Sequence, residues 1–167
     1  MNIKHSSPIV AFVDNDSFND LYQCSHLITS ILCKDYYTLL DVTEGLVDEN
    51  YEWKIDYFDI FKKSLSEEEN NIKVIKTYID ETNEIIALAI IKIYKDSRYL
   101  EITDMVTNDK YRRKGIGNNL MKFIEGFAKE NNISKIGLAS SINNTNAHEF
   151  FKKCGYEKVA YEYLKRI

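Results

Sequence analysis

Asn108-Asp109-Lys110-Tyr111-Arg112-Arg113-Lys114-Gly115-Ile116-Gly117 is the stretch on which the reading of this chain turns. Before it runs Tyr99-Leu100-Glu101-Ile102-Thr103-Asp104-Met105-Val106-Thr107, apolar and β-branched enough to predict a strand. After it, apolar residues fall at Ile116, Leu120, Met121, Phe123, Ile124, Phe127 and Ala128, the spacing of one helical face. Three consecutive cations and two glycines one residue apart join the strand to the helix. Glycine permits positive φ and close approach of a ligand to the backbone. The first amides of a helix are unpaired donors at the positive end of its dipole. The stretch therefore predicts an anion site, and phosphate is the usual guest there.

Two phosphate-binding patterns are excluded by spacing. No G-x-x-x-x-G-K-[ST] is present, and a dinucleotide fingerprint needs a third glycine where this chain has Leu120. Arg112-x-x-Gly115-x-Gly117 instead resembles the [QR]-x-x-G-x-[GA] signature of the GCN5-related N-acetyltransferases (GNAT). About thirty residues later, Asn144-x-x-Ala147-x-x-Phe150-Phe151-x-x-x-Gly155-Tyr156 resembles that family's later motif, N-x-x-A-x-x-[LF]-Y-x-x-x-G-F. The resemblance covers roughly residues 72–164, and the first seventy residues carry no match.

The rest of the chain is consistent with one domain over residues 1–167, long enough for a sizeable core. Ile9–Val13 predicts a first strand. Phe18, Leu21, Tyr22, Ile28, Ile31 and Leu32 then recur at helical spacing after N-cap candidates at 14–17. Residues 36–47 read as helical or irregular. Trp53, Tyr57, Phe58 and Phe61 form an aromatic helical stripe, readable as core or as a lid over an acceptor pocket. Strands at 72–79 and 85–94 flank a turn-rich loop and suggest a hairpin. A helix over 114–130, a strand at 134–140, a helix at 145–153 and a last strand at 157–164 complete an α/β (α+β) layout. The crossover from strand 99–107 to strand 134–140 is expected to be parallel and right-handed. The resemblance implies the GNAT-type acyl-CoA N-acyltransferase fold, a mixed central sheet flanked by helices whose two parallel strands splay to admit the pantetheine arm. Residues 1–70 would then form a variable helical part on the acceptor side, and 72–164 the cofactor-binding core.

Composition narrows the function classes. The net charge of −4 hides an asymmetry: residues 1–70 hold 14 acids and 5 bases, and the remainder holds 12 acids and 17 bases. One reading is an unevenly charged solvated surface. The other sets a polyanionic cofactor on the basic part and a cationic acceptor beside the acidic part. The balance argues against nucleic acid as a partner, which needs an overall basic face. Apolar runs fall far below the roughly 18 residues that span a membrane, so no membrane partner is expected. The short run at Ile9–Val13 is cut off by Asp14 and Asp16, too short for a signal peptide. Cys24, Cys33 and Cys154 form no C-x-x-C pair, which favours reduced thiols and a cytoplasmic protein. No metal-ligand spacing occurs.

The resemblance also assigns roles. It implies acetyl-CoA as co-substrate, with the pyrophosphate held at Arg112, Arg113, Lys114, Gly115, Ile116 and Gly117. The main chain of Met105, Val106 and Thr107 would pair with the pantetheine and polarise the thioester carbonyl. Asn144 would bind the cofactor arm, or cap the helix at 145–153, or do both. Attack needs a neutral amine, so a carboxylate base is expected: Asp104, with Glu101 as the alternative. In a plain strand these two face opposite sides, so at most one lines the cleft unless a bulge intervenes. The chain departs from the family at Phe151, which stands where the proton-donating tyrosine usually is. General acid help is worth roughly 10²–10⁴-fold, yet a thiol of pKa near 8.5 can leave as thiolate near neutral pH. Tyr156, Tyr161, Tyr163 and Cys154 are the alternative donors, although each reads more readily as a packing residue. Phe151 can still pack on the pantetheine arm. The expected activity is direct acetyl transfer to a primary amine of a small cationic molecule or a protein. A catalytically weak acyl-CoA-binding regulatory module is the alternative. A tRNA-acetylating toxin fits the acidic balance and the missing tyrosine poorly. A homodimer is common in similar proteins.

Overall fold

The computed structural model describes residues 7–31, 36–66, 71–163 and 165. Five strands form one mixed sheet in the order β1-β2-β3-β4-β5: Ile9–Phe12, Ile72–Ile79, Glu84–Tyr94, Tyr99–Thr107 and Lys135–Leu138. The first three junctions are antiparallel and β4–β5 is parallel. Helices α1 (Phe18–Thr29), α2 (Leu39–Thr43) and α3 (Tyr57–Ser66) lie between β1 and β2 in sequence. A single 3₁₀ turn (Asp109–Tyr111) and α4 (Ile116–Glu130) follow β4, and α5 (Thr145–Lys153) follows β5. Among the described residues, no helix is long and apolar enough to cross a membrane.

Each face of the sheet has its own core. On one face Val74, Ile85, Leu88, Ile90 and Val106 pack against Leu21, Cys24 and Ile28 of α1 and Tyr57, Phe61 and Leu65 of α3. On the other, Ile75, Ala89, Ile91, Leu100 and Ile102 meet Ile116, Leu120, Met121, Ile124 and Ala128 of α4. β3 is buried along most of its length because both faces are covered, and its Ile-Ile-Ala-Leu-Ala-Ile-Ile run reflects this. α1 starts as the sequence reading expects, with Ser17 accepting a hydrogen bond from the Asp20 amide.

Three expectations need correction or completion. The aromatic stripe is core, but Trp53 precedes α3. It bridges to Val47 and donates its indole N–H to the Ile31 carbonyl at 3.0 Å. The expected strand at 157–164 does not form over its described residues: 157–163 have no strand pairing and are exposed. The apolar alternation of Val159, Tyr161 and Tyr163 suits a strand, but a strand also needs a neighbouring ladder, and among the described residues the sheet ends at β5. Leu32, Cys33 and residue 164 lie outside the described residues.

Candidate active site

The decisive geometry is at the end of β4. Pairing of β4 with β5 stops at Ile102↔Leu138, while β4 runs on to Thr107. Residues 103–107 therefore keep β3 on one side and leave their other edge unpaired by β5. In the same place the β3–β4 register shifts: Ile90 opposes Asp104 and Ile91 opposes Ile102, so Thr103 is an extra residue. This β-bulge restores Glu101 and Asp104 to the same face, the one carrying Lys92, Ile90 and Val106. The simple alternation that set them on opposite faces is overridden.

From Thr107 the chain enters the basic loop. Asn108 caps the 3₁₀ turn by accepting from the Lys110 amide at 3.1 Å. Arg113 (φ 60°) and Gly115 (φ 80°) are both left-handed, which turns successive N–H groups towards one side before α4 begins. The amides of residues 113–118 meet no acceptor among the described residues. A Cβ on Gly115 would touch nothing within 4 Å, so the mouth of the loop is open. Gly117 serves packing as well: a Cβ there would stand 3.2 Å from the Phe150 ring, which joins the start of α4 to α5.

The three cations differ in their commitments. Arg112 braces the loop, its Nε pairing with Asp109 at 2.9 Å and donating to the Thr107 carbonyl at 3.2 Å. Lys114 lies 5.2 Å over the Tyr111 ring. Arg113 is exposed and forms no ion pair among the described residues. Six open amides flanked by this charge suit a pyrophosphate, and the freed edge of β4 suits an extended amide-bearing arm.

On the first core face, carboxylates converge. Asp104 is half-buried. Burial, with the Asp41 charge nearby, pushes its carboxyl up to about 7, although the Thr103 hydroxyl opposes the shift. Asp41 is buried, its carboxylate accepting the Thr38 amide at 2.6 Å and hydroxyl at 3.0 Å, yet burial still raises it. Glu44 sits at the exposed rim, where partial burial raises its carboxyl, Lys92 eases the shift, and the Asp41 and Glu101 charges add to it. Glu101 accepts the Tyr94 hydroxyl at 2.9 Å. Tyr57 is 3% exposed. Burial first, then the charges of Asp104, Asp41 and Glu44, hold that phenol well above its ordinary range. A cavity of about 280 Å³ between α1 and the end of β4 opens beside this face, lined by Leu27, Ile31, Tyr36, Val106, Thr107 and Arg112 among others.

The later motif serves structure in a visible way. Asn144 is the N-cap of α5, accepting from the Ala147 amide at 3.3 Å. Phe151 packs between Phe150 and Tyr156 against the α4 core. Met105 joins the same core, and Val106 is buried on the opposite face. The alternative donors have other places. The Tyr156 hydroxyl reaches the Met121 sulfur at 3.3 Å and is pushed up to about 12 by burial. Tyr161 and Tyr163 are exposed, and burial raises the Cys154 thiol. Among the described residues, no cluster of His, Cys, Asp and Glu could hold a metal ion.

Sequence reasoning missed Asp41 and Glu44 and took Tyr57 only as part of the aromatic stripe. All three lie in the first seventy residues, where no motif was recognised and only the acidic balance hinted at the carboxylates.

Comparisons with known proteins agree with this geometry. The model of the acetyltransferase (GNAT) family matches residues 28–156. The chain is 41% identical over 76 residues to probable N-acetyltransferase san of Drosophila melanogaster, covering 44% of this chain and 41% of that protein. It is 36% identical over 63 residues to probable N-acetyltransferase 14 of Xenopus tropicalis, covering 38% and 31%. The aligned stretch thus spans less than half of either relative. A possible acetyltransferase from Clostridium difficile 630 superposes with a TM-score of 0.69 over 97% of this chain and 98% of that one. At 20% identity that likeness speaks to the fold.

Proposed function

The chain belongs to the acetyltransferase (GNAT) family, and from that premise we propose that it transfers an acetyl group from acetyl-CoA to a primary amine by direct attack. The observation that carries this reading is the row of unpaired amides at 113–118 beside the freed edge of β4, with Asp104 on the same strand. The amides of Gly115, Ile116 and Gly117, with Arg113 and Lys114 alongside, would bind the pyrophosphate. Arg112 would act mainly by bracing the loop. The backbone of Met105, Val106 and Thr107 would hold the arm, and an N–H there would polarise the thioester carbonyl. Thr107's carbonyl is already engaged by Arg112. Asn144 and Phe151 would border the arm from α5.

Asp104 is the base in this scheme. It takes a proton from the bound ammonium, directly or through water. The freed nitrogen lone pair forms the N–C bond as the C–S bond breaks, and the thiolate takes its proton from solvent. A carboxyl poised near 7 suits this task, being largely ionised just above neutrality while still basic enough to accept a proton. The test is release of CoA thiol with acetyl-CoA and a panel of primary amines, comparing wild type with Asp104→Asn. At least a hundredfold slower turnover in the variant is expected. Equal rates would remove Asp104 from the chemistry.

Phe151 favours a second reading, an acyl-CoA-binding module with little catalysis, because its ring occupies the donor position without a hydroxyl. Acetyl-CoA binding with no thiol release on any amine would select that reading.

A further inference from the structure

The proposed acetyl transfer needs Asp104 aimed into the cleft, and the plain alternation of β4 does not fix its aim. One extra residue does, and a strand can absorb an extra residue at any step. Here it is absorbed at Thr103, between the pairs Ile91↔Ile102 and Ile90↔Asp104. The Thr103 hydroxyl crosses to β3 and donates to the carbonyl of Ile90, the residue that opposes Asp104. The pin and the base therefore share one rung of the ladder.

That bond is long, 3.3 Å, where a hydroxyl ordinarily stands about 2.7 Å from its acceptor. The hydroxyl is thus not fully committed to β3. It also reaches the Asp104 carboxylate, and of the groups acting on that carboxylate it is the one that favours the ionised form. Burial opposes ionisation, as do the charges of Asp41 on α2 and of Glu44 just after it. The Tyr57 phenol lies in the field of Asp104 from α3, and Glu101 and Lys92 stand on the same side of the sheet. An apolar β-branched residue would suit a bulge in this Ile-rich sheet equally well, so it is the hydroxyl that calls for an explanation.

We propose, on the footing of the acetyl-transfer reading, that Thr103 is a positioning residue for the base: its hydroxyl bridges the Ile90 carbonyl and the Asp104 carboxyl, holding the bulge in register while serving that carboxyl in both protonation states. A hydroxyl carries one donor and two acceptor sites on a free rotor. When Asp104 is ionised, the Thr103 proton turns to the carboxylate, because a charge-assisted bond is about twice as strong as a neutral one. When Asp104 has taken the proton of the incoming ammonium, its own O–H donates to the Thr103 oxygen, and the Thr103 proton returns to the Ile90 carbonyl. The base gains a proton and gives it up without moving.

The experiment is the pH–rate profile of thiol release from acetyl-CoA, with the primary amine that wild type uses best. It compares wild type, Thr103→Val and Thr103→Ser, each with and without Asp104→Asn. Thr103→Val keeps the branched shape and removes the hydroxyl, so its rising limb should move up by about one pH unit. Its kcat should fall about fivefold at pH 7 and approach wild type some two units higher. Thr103→Ser should return the limb to the wild-type position, and with Asp104→Asn the choice at 103 should no longer matter. Melting temperatures give a readout free of activity. The pH above which the gap between each protein and its Asp104→Asn counterpart stops widening should also move up in Thr103→Val. Thr103→Ala replaces the valine variant if that one does not fold. A limb that stays in place without the hydroxyl overturns the inference while acetyl transfer stands. So does an equal fall in rate at every pH that serine fails to rescue. If wild type releases no thiol with any amine, acetyl transfer itself falls, and this inference falls with it.

Discussion

Asp104 carries opposite consequences for activity and for stability. Its carboxyl ionises near 4 in the unfolded chain and near 7 in the fold, so between those values the native state binds the extra proton. Stability from this group is therefore fully present below about pH 4 and is lost as the pH rises towards 7. Activity is expected to move the other way, because Asp104 as the proposed base must be ionised. The expected pH–rate profile rises with a midpoint near 7, and Asp104→Asn should abolish that limb. The same variant should melt several degrees higher than wild type at pH 8, since it removes a buried charge worth a few kcal/mol. A lower melting temperature there would contradict the burial argument. Phe151 makes the second residue-level test. If the thiolate leaves unaided, Phe151→Tyr should change kcat by less than about tenfold at neutral pH. A hundredfold gain would mean that the missing hydroxyl had been limiting.

The end of β4 is the element in which sequence and site part company. Its existence, its length and its parallel junction with β5 follow from apolar runs and from the helix between them. So do α4 and its glycine-rich entry, where Gly115 takes the positive φ that glycine permits, whereas the left-handed Arg113 leaves no mark in the sequence. The bulge at Thr103 does not follow, because one extra residue leaves no mark in a pattern of period two. It nevertheless decides that Glu101 and Asp104 share a face. The unformed strand after α5 fails for the opposite reason: its alternation is legible, but a partner ladder is a property of the whole sheet. Gly137 on β5 was also silent in the sequence. A Cβ there would stand 2.9 Å from the Tyr99 ring and closer still to its hydroxyl. Gly137→Ala should accordingly cost roughly 1–3 kcal/mol, read as a fall in melting temperature. Tyr99→Phe in the same background should recover part of that loss, and no effect from Gly137→Ala would show that β5 yields freely.

At the scale of the molecule, two cores on opposite faces of one sheet divide the labour. The α4 side supports the basic loop, and the α1–α3 side gathers the carboxylates, with the gap between β4 and β5 joining them. Two of those carboxylates, Asp41 and Glu44, come from the acidic first seventy residues, and Glu101 and Asp104 come from β4 in the basic remainder. Every role assigned to the site depends on acetyl-CoA seating its pyrophosphate on the amides of 113–118. Calorimetric titration with acetyl-CoA tests that most directly, using wild type and Gly115→Glu. The latter sets a negative side chain at an open, left-handed position outside both cores. Saturable one-to-one binding by wild type, weakened at least about tenfold in the variant while its melting temperature stays within a few degrees, is the expected result. No binding at millimolar ligand, or equal binding by both proteins, would contradict the account.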